Sequence, residues 1–551
     1  MPTLNWIGKE KVINHHIDVP FKVLEHSYGF DNGQQTETET KSGNKIIHGD
    51  NLEALKSLLP EYEGKIKCIY IDPPYNTGNE SWVYNDNLND PKIKKWLGEV
   101  VGKESDDLCR HDKWLCMMYP RLKLLHKLLS DDGVIFISLD ENEIQNLRLI
   151  LGEIFGENKF VAQITLLCNP KGRSQDKYFG TCHEYCIVFS KSILPSGAFS
   201  VTKDDKLINK EYKNVDEDGR FRYLELRNTH REFNKGNRPN LFYPFFVNPQ
   251  TGKVSLIKDD IYNIEILPLW PDGFEGCWTW GQDLAIKDNH LLVAQRKKSG
   301  WKVFRKAYSE SDNGEVVKKK LFTIWQDHSF FTEKGQVTFG EIFPGLNKND
   351  FPQPKSVEYI KEIIRTSTDN NSIVLDSFAG SGTTAQAVLS LNTEEDTNRK
   401  FILIERENYA NEITAERVKR VINGYGNNAG SDGCFDFYDL GQPLFNEDGN
   451  LNETVGIEKI RQYVYYTETK SAFSETQHND NKYFLGKHND TAYYFNYEKD
   501  EVTTLDHAFL ASIKTKAEQY VIYADNCLLT KDFMTKHHII FKKIPRDITR
   551  F

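Results

Sequence analysis

No run of apolar residues in this chain approaches the roughly twenty that cross a bilayer, and no apolar segment near its start has the make-up of a secretory leader. A bilayer-spanning helix is excluded, no membrane association is expected, and the expected location is the cytoplasm. Nine cysteines lie scattered along 551 residues without a regular framework, an odd count that fits reduced thiols rather than a disulfide scaffold. Their one cluster, Cys182-His183 with Cys186, has no second Cys or His pair at metal-site spacing and sits in an apolar strand pattern, so no metal is expected. The pattern G-x-x-x-x-G-K-[ST] is absent, which assigns any ATP-driven work to another polypeptide. No internal repeat is found. Net positive charge is lacking too: the formal charge is -10, so any surface for a polyanion would have to be local.

What is present, 39% hydrophobic and 27% charged residues, is ample for a multi-domain chain with sizeable cores. The apolar run Ile66 to Ile71 ends in Asp72-Pro73-Pro74-Tyr75. Two rigid prolines let the Asp72 carboxylate and the Pro73 carbonyl point at one exocyclic amine, with the Tyr75 ring available to stack on a base. An ordinary turn after a strand is the alternative reading of these four residues alone.

A second signal lies far down the chain, where the strand-like Ser372 to Asp376 runs into Ser377-Phe378-Ala379-Gly380-Ser381-Gly382-Thr383-Thr384. Gly380 and Gly382 allow close backbone approach to a ligand, and the helix that follows opens with unpaired N–H groups. Without the phosphate-binding lysine or a third glycine, neither ATP nor NAD is the natural ligand; S-adenosylmethionine fits better. One strand later, Phe401 to Ile404 ends in Glu405, placed to accept hydrogen bonds from ribose hydroxyls.

A DPPY motif ahead of an FAGSGTT motif resembles the amino-group DNA methyltransferases of the beta order. Further stretches narrow the resemblance to the modification subunit of type III restriction-modification systems: IHGDNLEALKSLLP, DPPYNTG, DDGVIFISLDENE, HEYCIVFSK, RPNLFYPFF, FPQPKSVEYIKEII and HHIIFKKIP. The resemblance implies an α/β fold, a circularly permuted Rossmann-like sheet with an inserted target-recognition domain and a small C-terminal α/β domain. It also implies N6-methylation of adenine in double-stranded DNA, a helicase-nuclease (Res) partner subunit and a homodimer. By the same resemblance Asp72, Pro73, Pro74 and Tyr75 are catalytic. Asn76, Asp376, Phe378, Ala379, Gly380, Ser381, Gly382, Thr383, Thr384 and Glu405 would surround the cofactor. Asp50, at the end of the expected strand Ile46 to Asn51, would face its adenine, or else cap the helix from Leu52 to Leu59. Where the family often has Lys-Pro, this chain has Lys355-Ser356.

Five segments are expected: 1–40 as an N-terminal extension with a polar linker at 34–40, 41–200 as the catalytic half, 201–343 for target recognition, 344–440 as the cofactor half, and 441–551 for subunit contacts. A structural cap on the catalytic domain is the alternative for the last. The recognition segment carries Arg220, Arg222, Arg227, Arg231, Lys235 and Arg238 against only Glu225 and Glu232, and a second basic patch through Lys297, Lys298, Lys302 and Arg305. Phe242, Tyr243, Trp278, Trp280, Trp301, Phe304 and Trp325 are interleaved with them. Arg and Lys bind phosphates and read guanine edges, so DNA contact is assigned to the cluster rather than to any one side chain.

Trp114 to Leu129 has helical spacing, and Val134 to Leu139, Val161 to Leu167 and Tyr185 to Ser190 read as strands. Tyr463 to Tyr466 and Tyr520 to Tyr523 also look strand-like. Tyr178, Phe179 and Tyr185 are the candidates to oppose Tyr75 across a flipped base. Three other functions stay open, one of them RNA methylation, for which the sequence shows neither an RNP-type sheet motif nor another RNA module. Cytosine-N4 methylation uses the same chemistry, and a catalytically silent recognition subunit would merely target a nuclease. Cytosine-C5 methylation is disfavoured by the lack of a Pro-Cys dipeptide.

Overall fold

The computed structural model describes residues 3–77, 91–102, 109–298, 300–311, 315–346, 351, 353–471, 473 and 480–549. Gly78 of DPPYNTG and Pro352 of FPQPKSV lie outside the described residues. The chain divides into two compact units, Met1–Ala198 with Phe322–Phe551, and Phe199–Leu321.

Among the described residues of the first unit eleven strands form one sheet. They are β1 (Lys22–Asp31), β2 (Gln34–Thr36), β3 (Lys45–His48), β4 (Ile66–Ile71), β5 (Leu129–Leu139), β6 (Phe160–Leu167), β7 (His183–Ser190), β8 (Ile324–Trp325), β9 (Ile373–Asp376), β10 (Lys400–Glu405) and β11 (Phe435–Pro443). Their order is β8-β6-β7-β5-β4-β9-β10-β3-β11-β1-β2. From β5 to β11 every neighbouring pair is parallel, and β7 runs antiparallel between β5 and β6. The late strands β9 and β10 therefore sit between the early strands β4 and β3, which is the permuted arrangement.

The helices that matter here are α1 (Asn51–Tyr62), α2 (Arg110–Leu128), α3 (Ile144–Phe155), α4 (Val357–Ser367), α5 (Thr383–Glu395), α6 (Glu416–Asn423) and α7 (Ile457–Thr469). Leucines of α1, α2 and α3 share one core with Ile69, Ile71, Ile135 and Ile137. The alternate residues Tyr70 and Ser138 face the other way, onto Tyr359 of α4, as the two-residue period of a strand requires. Burial on both faces explains why β4 and β10 read as continuous apolar runs. Among the described residues no helix is long and apolar enough to cross a membrane.

Several expectations need correction. The segment expected to be an extension and polar linker supplies β1 and β2, which close the sheet beyond β11 in antiparallel register. Mixed burial along β1 hides its period from the sequence. Tyr463 to Tyr466 is not a strand but part of α7: Tyr463 and Tyr465 pack into one core, against Phe21 at 4.8 Å and Tyr493 at 6.0 Å, and Tyr466 into another. A short apolar run cannot show that by periodicity. The C-terminal strands Phe484–His488, Thr491–Phe495, Gln519–Ala524 and Ile539–Lys543 form their own sheet in that order. Its core includes Val23 of β1 and Leu444, so part of this module's surface is covered by its own chain.

The second unit ends at Leu321 rather than at 343. Residues beyond it belong to the first unit, where β8 pairs with β6 and Trp325 packs on Phe330 and Tyr359 at 5.8 and 5.9 Å. A two-residue strand leaves too little pattern to mark that boundary. Within the second unit an antiparallel sheet joins Leu292–Lys297, Gly300–Tyr308, Gly219–Glu225 and Asn214–Asp216. Trp278, Tyr243, Phe245 and Trp280 build its core.

Candidate active site

β4 and β9 are parallel neighbours, with Cys68 beside Val374 and Ile69 beside Leu375. Their carboxyl ends therefore deliver Asp72-Pro73-Pro74-Tyr75 and the Phe378–Thr384 turn side by side, and β10 adds Glu405. This is the edge of an open α/β sheet where ligands bind. One cavity is lined by Asp72, Pro73, Pro74, Tyr75, Asp376, Phe378, Ala379, Gly380, Ser381, Thr383, Thr384 and Glu405, together with Asn51, Tyr70, Arg121, Lys355, Ser377 and Tyr409.

The glycine turn is held from several directions. Gly380 and Gly382 have φ of 52° and 82°, the left-handed region, and a Cβ on Gly382 would lie 3.0 Å from the Thr414 carbonyl oxygen. Gly380 N–H donates to Glu405 Oε2 at 2.7 Å, and Glu407 N–H donates to Oε1 at 3.0 Å. Asp376 receives Phe378 N–H at 3.0 Å and the Thr384 hydroxyl at 2.5 Å. Burial pushes both carboxyls up, Asp376 to about 7 and Glu405 to about 7. The buried Arg417 guanidinium donates to Ser381 Oγ at 2.6 Å, Thr383 Oγ1 at 2.8 Å and Gln386 Oε1 at 2.8 Å. Sequence reasoning passed over Arg417 because it lies in α6, beyond any motif.

The DPPY segment is braced by Trp114, whose indole N–H donates to the Pro74 carbonyl at 2.7 Å. Asn76 does not line the cavity. Its backbone has φ 59° and its amide donates to Glu143 and to the Arg110 carbonyl, while Arg110 donates back to Asn76 O at 3.0 Å. Asp50 does not line it either: it caps α1, accepting Leu52 N–H at 2.9 Å, and its other oxygen lies 3.5 Å from Arg121. The helix-cap reading of Asp50 is the one the structure shows.

Two residues outside the candidate list complete the cluster. Tyr75 Oη lies 2.9 Å from Asp72 Oδ1 and 3.0 Å from Glu184 Oε2. Lys355 Nζ lies 2.5 Å from the same hydroxyl, 2.7 Å from Glu184 Oε2 and 3.4 Å from Asp72 Oδ1. Burial raises the Asp72 carboxyl to about 6 even with the Lys355 ammonium beside it. Burial pushes Glu184 up as well, but Lys355 outweighs it and holds Glu184 below its ordinary value. Lys355 is raised: burial acts against its charge, and the two carboxylates win. An acidic residue inside the apolar run of β7 was the one sequence signal for Glu184.

Of the aromatics proposed to oppose Tyr75, Tyr178 and Phe179 are 81% and 89% exposed, while Tyr185 is half-buried with its hydroxyl 2.9 Å from His183 Nε2. Among the described residues no group of three or more His, Cys, Asp or Glu is placed to hold a metal ion.

The basic residues of the second unit separate into two sets. Arg227 is buried, ion-paired to Glu225 at 2.9 Å and stacked 4.1 Å from the Trp270 ring centre. Arg222 pairs with Glu211 at 3.1 Å, Lys302 with Glu225 at 3.3 Å, and Arg305 lies over Trp280. Arg220, Arg238, Lys297 and Lys298 are exposed; so is Arg231, which pairs with Asp272 at 2.6 Å. Most of the interleaved aromatics are core.

The family model described as DNA methylase, for N6 and N4 methyltransferases, matches residues 66–416. The Mod subunit of the type III restriction-modification enzyme EcoPI from Escherichia phage P1 is 34% identical over 452 residues, 76% of this chain and 68% of its own. The type II methyltransferase M.KpnI from Klebsiella pneumoniae is 34% identical over 365 residues, covering 66% of this chain and 81% of that one. The EcoP15I Mod subunit from Escherichia coli is 29% identical over 456 residues, 77% of this chain and 66% of its own.

Proposed function

Because this chain belongs to the N6/N4 DNA methylase family, we propose that it methylates the N6 amino group of adenine in double-stranded DNA as the modification subunit of a type III restriction-modification system. The observation that carries the reading is the shared cavity, in which the Asp72 carboxylate at the end of β4 meets the glycine turn after β9. S-adenosylmethionine is the methyl donor, and when bound it supplies an electrophilic sulfonium methyl group. The residues present fit it. Among the described residues Ser377 Oγ is buried in the cavity wall without a hydrogen-bond partner, and Glu405 and the left-handed Gly380 stand beside it. Gly380 to Thr384 and Glu405 would hold the cofactor.

An adenine amine cannot be reached inside the duplex, so the base is extruded. Tyr75 supplies a ring to stack on it. Asp72 and the Pro73 carbonyl accept the two amino hydrogens and aim the nitrogen lone pair, and Asp72 is the first acceptor for the proton the nitrogen sheds as it gains carbon. Positioning and preoriented polar groups supply most of the rate. Because the Asp72 carboxyl is raised to about 6, it is ionised above that pH and protonated below it. Turnover is therefore expected to fall about tenfold per unit as pH drops below roughly 6; a rate flat to pH 5 would remove Asp72 from this role.

The exposed Lys297 and Lys298 at the tip of the 292–308 hairpin are assigned to phosphate contact. Changing both to alanine should weaken binding to all sequences alike and reduce the salt slope by about 2, measured by fluorescence anisotropy across a salt series. Arg227→Ala should instead lower the melting temperature, since it removes one partner of a buried ion pair. A second copy of the chain and a Res subunit are the partners this reading implies, supported by the Mod-subunit relatives. Incubation with methyl-labelled S-adenosylmethionine and unmethylated genomic DNA, followed by nucleoside mass spectrometry, tests the whole. N6-methyladenine supports it, N4-methylcytosine overturns the base, and cofactor binding without any DNA product points to a silent recognition subunit.

A further inference from the structure

The Tyr75 hydroxyl stands between two carboxylates with one proton to give. It lies at equal reach of Asp72 Oδ1, 2.9 Å, and Glu184 Oε2, 3.0 Å, while the Lys355 ammonium, a donor only, approaches the same oxygen at 2.5 Å. The hydroxyl oxygen thus accepts from Lys355 and donates to one carboxylate at a time. We propose that Glu184 and Lys355 are positioning residues for methyl transfer. When the substrate amine arrives, Glu184 takes over the Tyr75 proton donor from Asp72 and frees an Asp72 lone pair, while Lys355 keeps both carboxylates charged. The proposal rests on Asp72 as the acceptor of the substrate amine.

The chemistry needs such a device. Asp72 offers its best acceptor sites only while ionised, and its surroundings oppose ionisation: Tyr70 from β4, Glu184 and Cys186 from β7, Asp376 from β9 and Tyr359 from α4 bring no positive charge. Cys168 after β6 also faces Glu184 and Lys355, and Arg173 acts on Glu184 from farther off. Lys355 is the cation within 4 Å of Asp72 among the described residues. A neighbouring ammonium at that range favours the charged carboxylate by roughly 1–3 pH units. The exchange of acceptors breaks one O–H···O hydrogen bond and makes another, with no net proton transfer. It leaves Tyr75 anchored at its hydroxyl, so the ring keeps its plane for a base.

The test is the pH dependence of kcat in Lys355→Met, Glu184→Gln and Lys355→Arg, with Asp72→Asn as reference. In Lys355→Met the acid limb should move up by roughly 1–3 units, with rate recovered at high pH. In Glu184→Gln, which removes a like charge, the limb should move down and the maximal rate should fall. Lys355→Arg should keep the limb near its original position. A purely structural salt bridge would lower the melting temperature and the rate without displacing the limb. Unmoved limbs in folded Glu184→Gln and Lys355→Met overturn the proposal. If Lys355→Met does not fold, Glu184→Gln decides alone: a downward limb supports the proposal, and an unmoved one overturns it. Full turnover by Asp72→Asn would instead bring down the reading of Asp72 itself.

Discussion

Asp72→Ala protein is expected to fold, to bind S-adenosylmethionine, and to transfer methyl groups at least about 10³-fold more slowly than the native chain. The folding part follows from position. Asp72 follows the last residue of β4, contributes no strand pairing, and lines the cavity rather than the core. The Trp114 bond to the Pro74 carbonyl and the Asn76 anchoring remain to hold the loop. The catalytic part follows from what is lost: a carboxylate that accepts an amino hydrogen and orients the nitrogen. Removing one preoriented polar group from a dry site typically costs about 10²–10³ in rate, and misorienting the nucleophile adds to it. Steady-state kinetics and a thermal melt check both halves. Near-normal turnover in a folded protein would refute the assignment.

Gly380→Val is expected to weaken cofactor binding by about 10–10²-fold while leaving the sheet intact. Gly380 has φ 52°, where a β-branched residue is strained by roughly 1–3 kcal/mol. The valine turn relaxes out of that conformation in the free protein, and binding has to restore it. Restoring that conformation on binding costs up to roughly 3 kcal/mol, about 10–10²-fold in affinity. Titration calorimetry with S-adenosylmethionine measures it, with circular dichroism as the control for fold. An affinity within a few fold of the native value would mean that the turn does not contact the ligand.

Both variants were accessible from sequence because their chemistry is local. Asp72 and Gly380 each follow an apolar run, and prolines or glycines beside them dictate backbone shape within a few residues. Glu184 and Lys355 were different. Each is an ordinary charged residue in its own segment, and their meaning appears only when β7 and the turn before α4 converge on Tyr75. Asp50 posed a choice between cap and ligand contact, and the hydrogen bond from Leu52 N–H shows the cap. Arg227 counted as a basic residue in the sequence, yet its guanidinium is spent on Glu225 and Trp270.

By itself, then, the sequence determined the α/β class, the two turns that line the cavity and their permuted order. These depend on hydrophobic period and on the backbone limits of proline and glycine, which act over short distances. Only the tertiary structure decided that β1 and β2 extend the main sheet, that Tyr463 to Tyr466 is helical, that the second unit ends at Leu321, and that a lysine and a glutamate surround the Tyr75 hydroxyl. Those outcomes depend on which strands pair and which charges are buried together, and both are set by contacts between residues far apart in the chain, where no local pattern reaches.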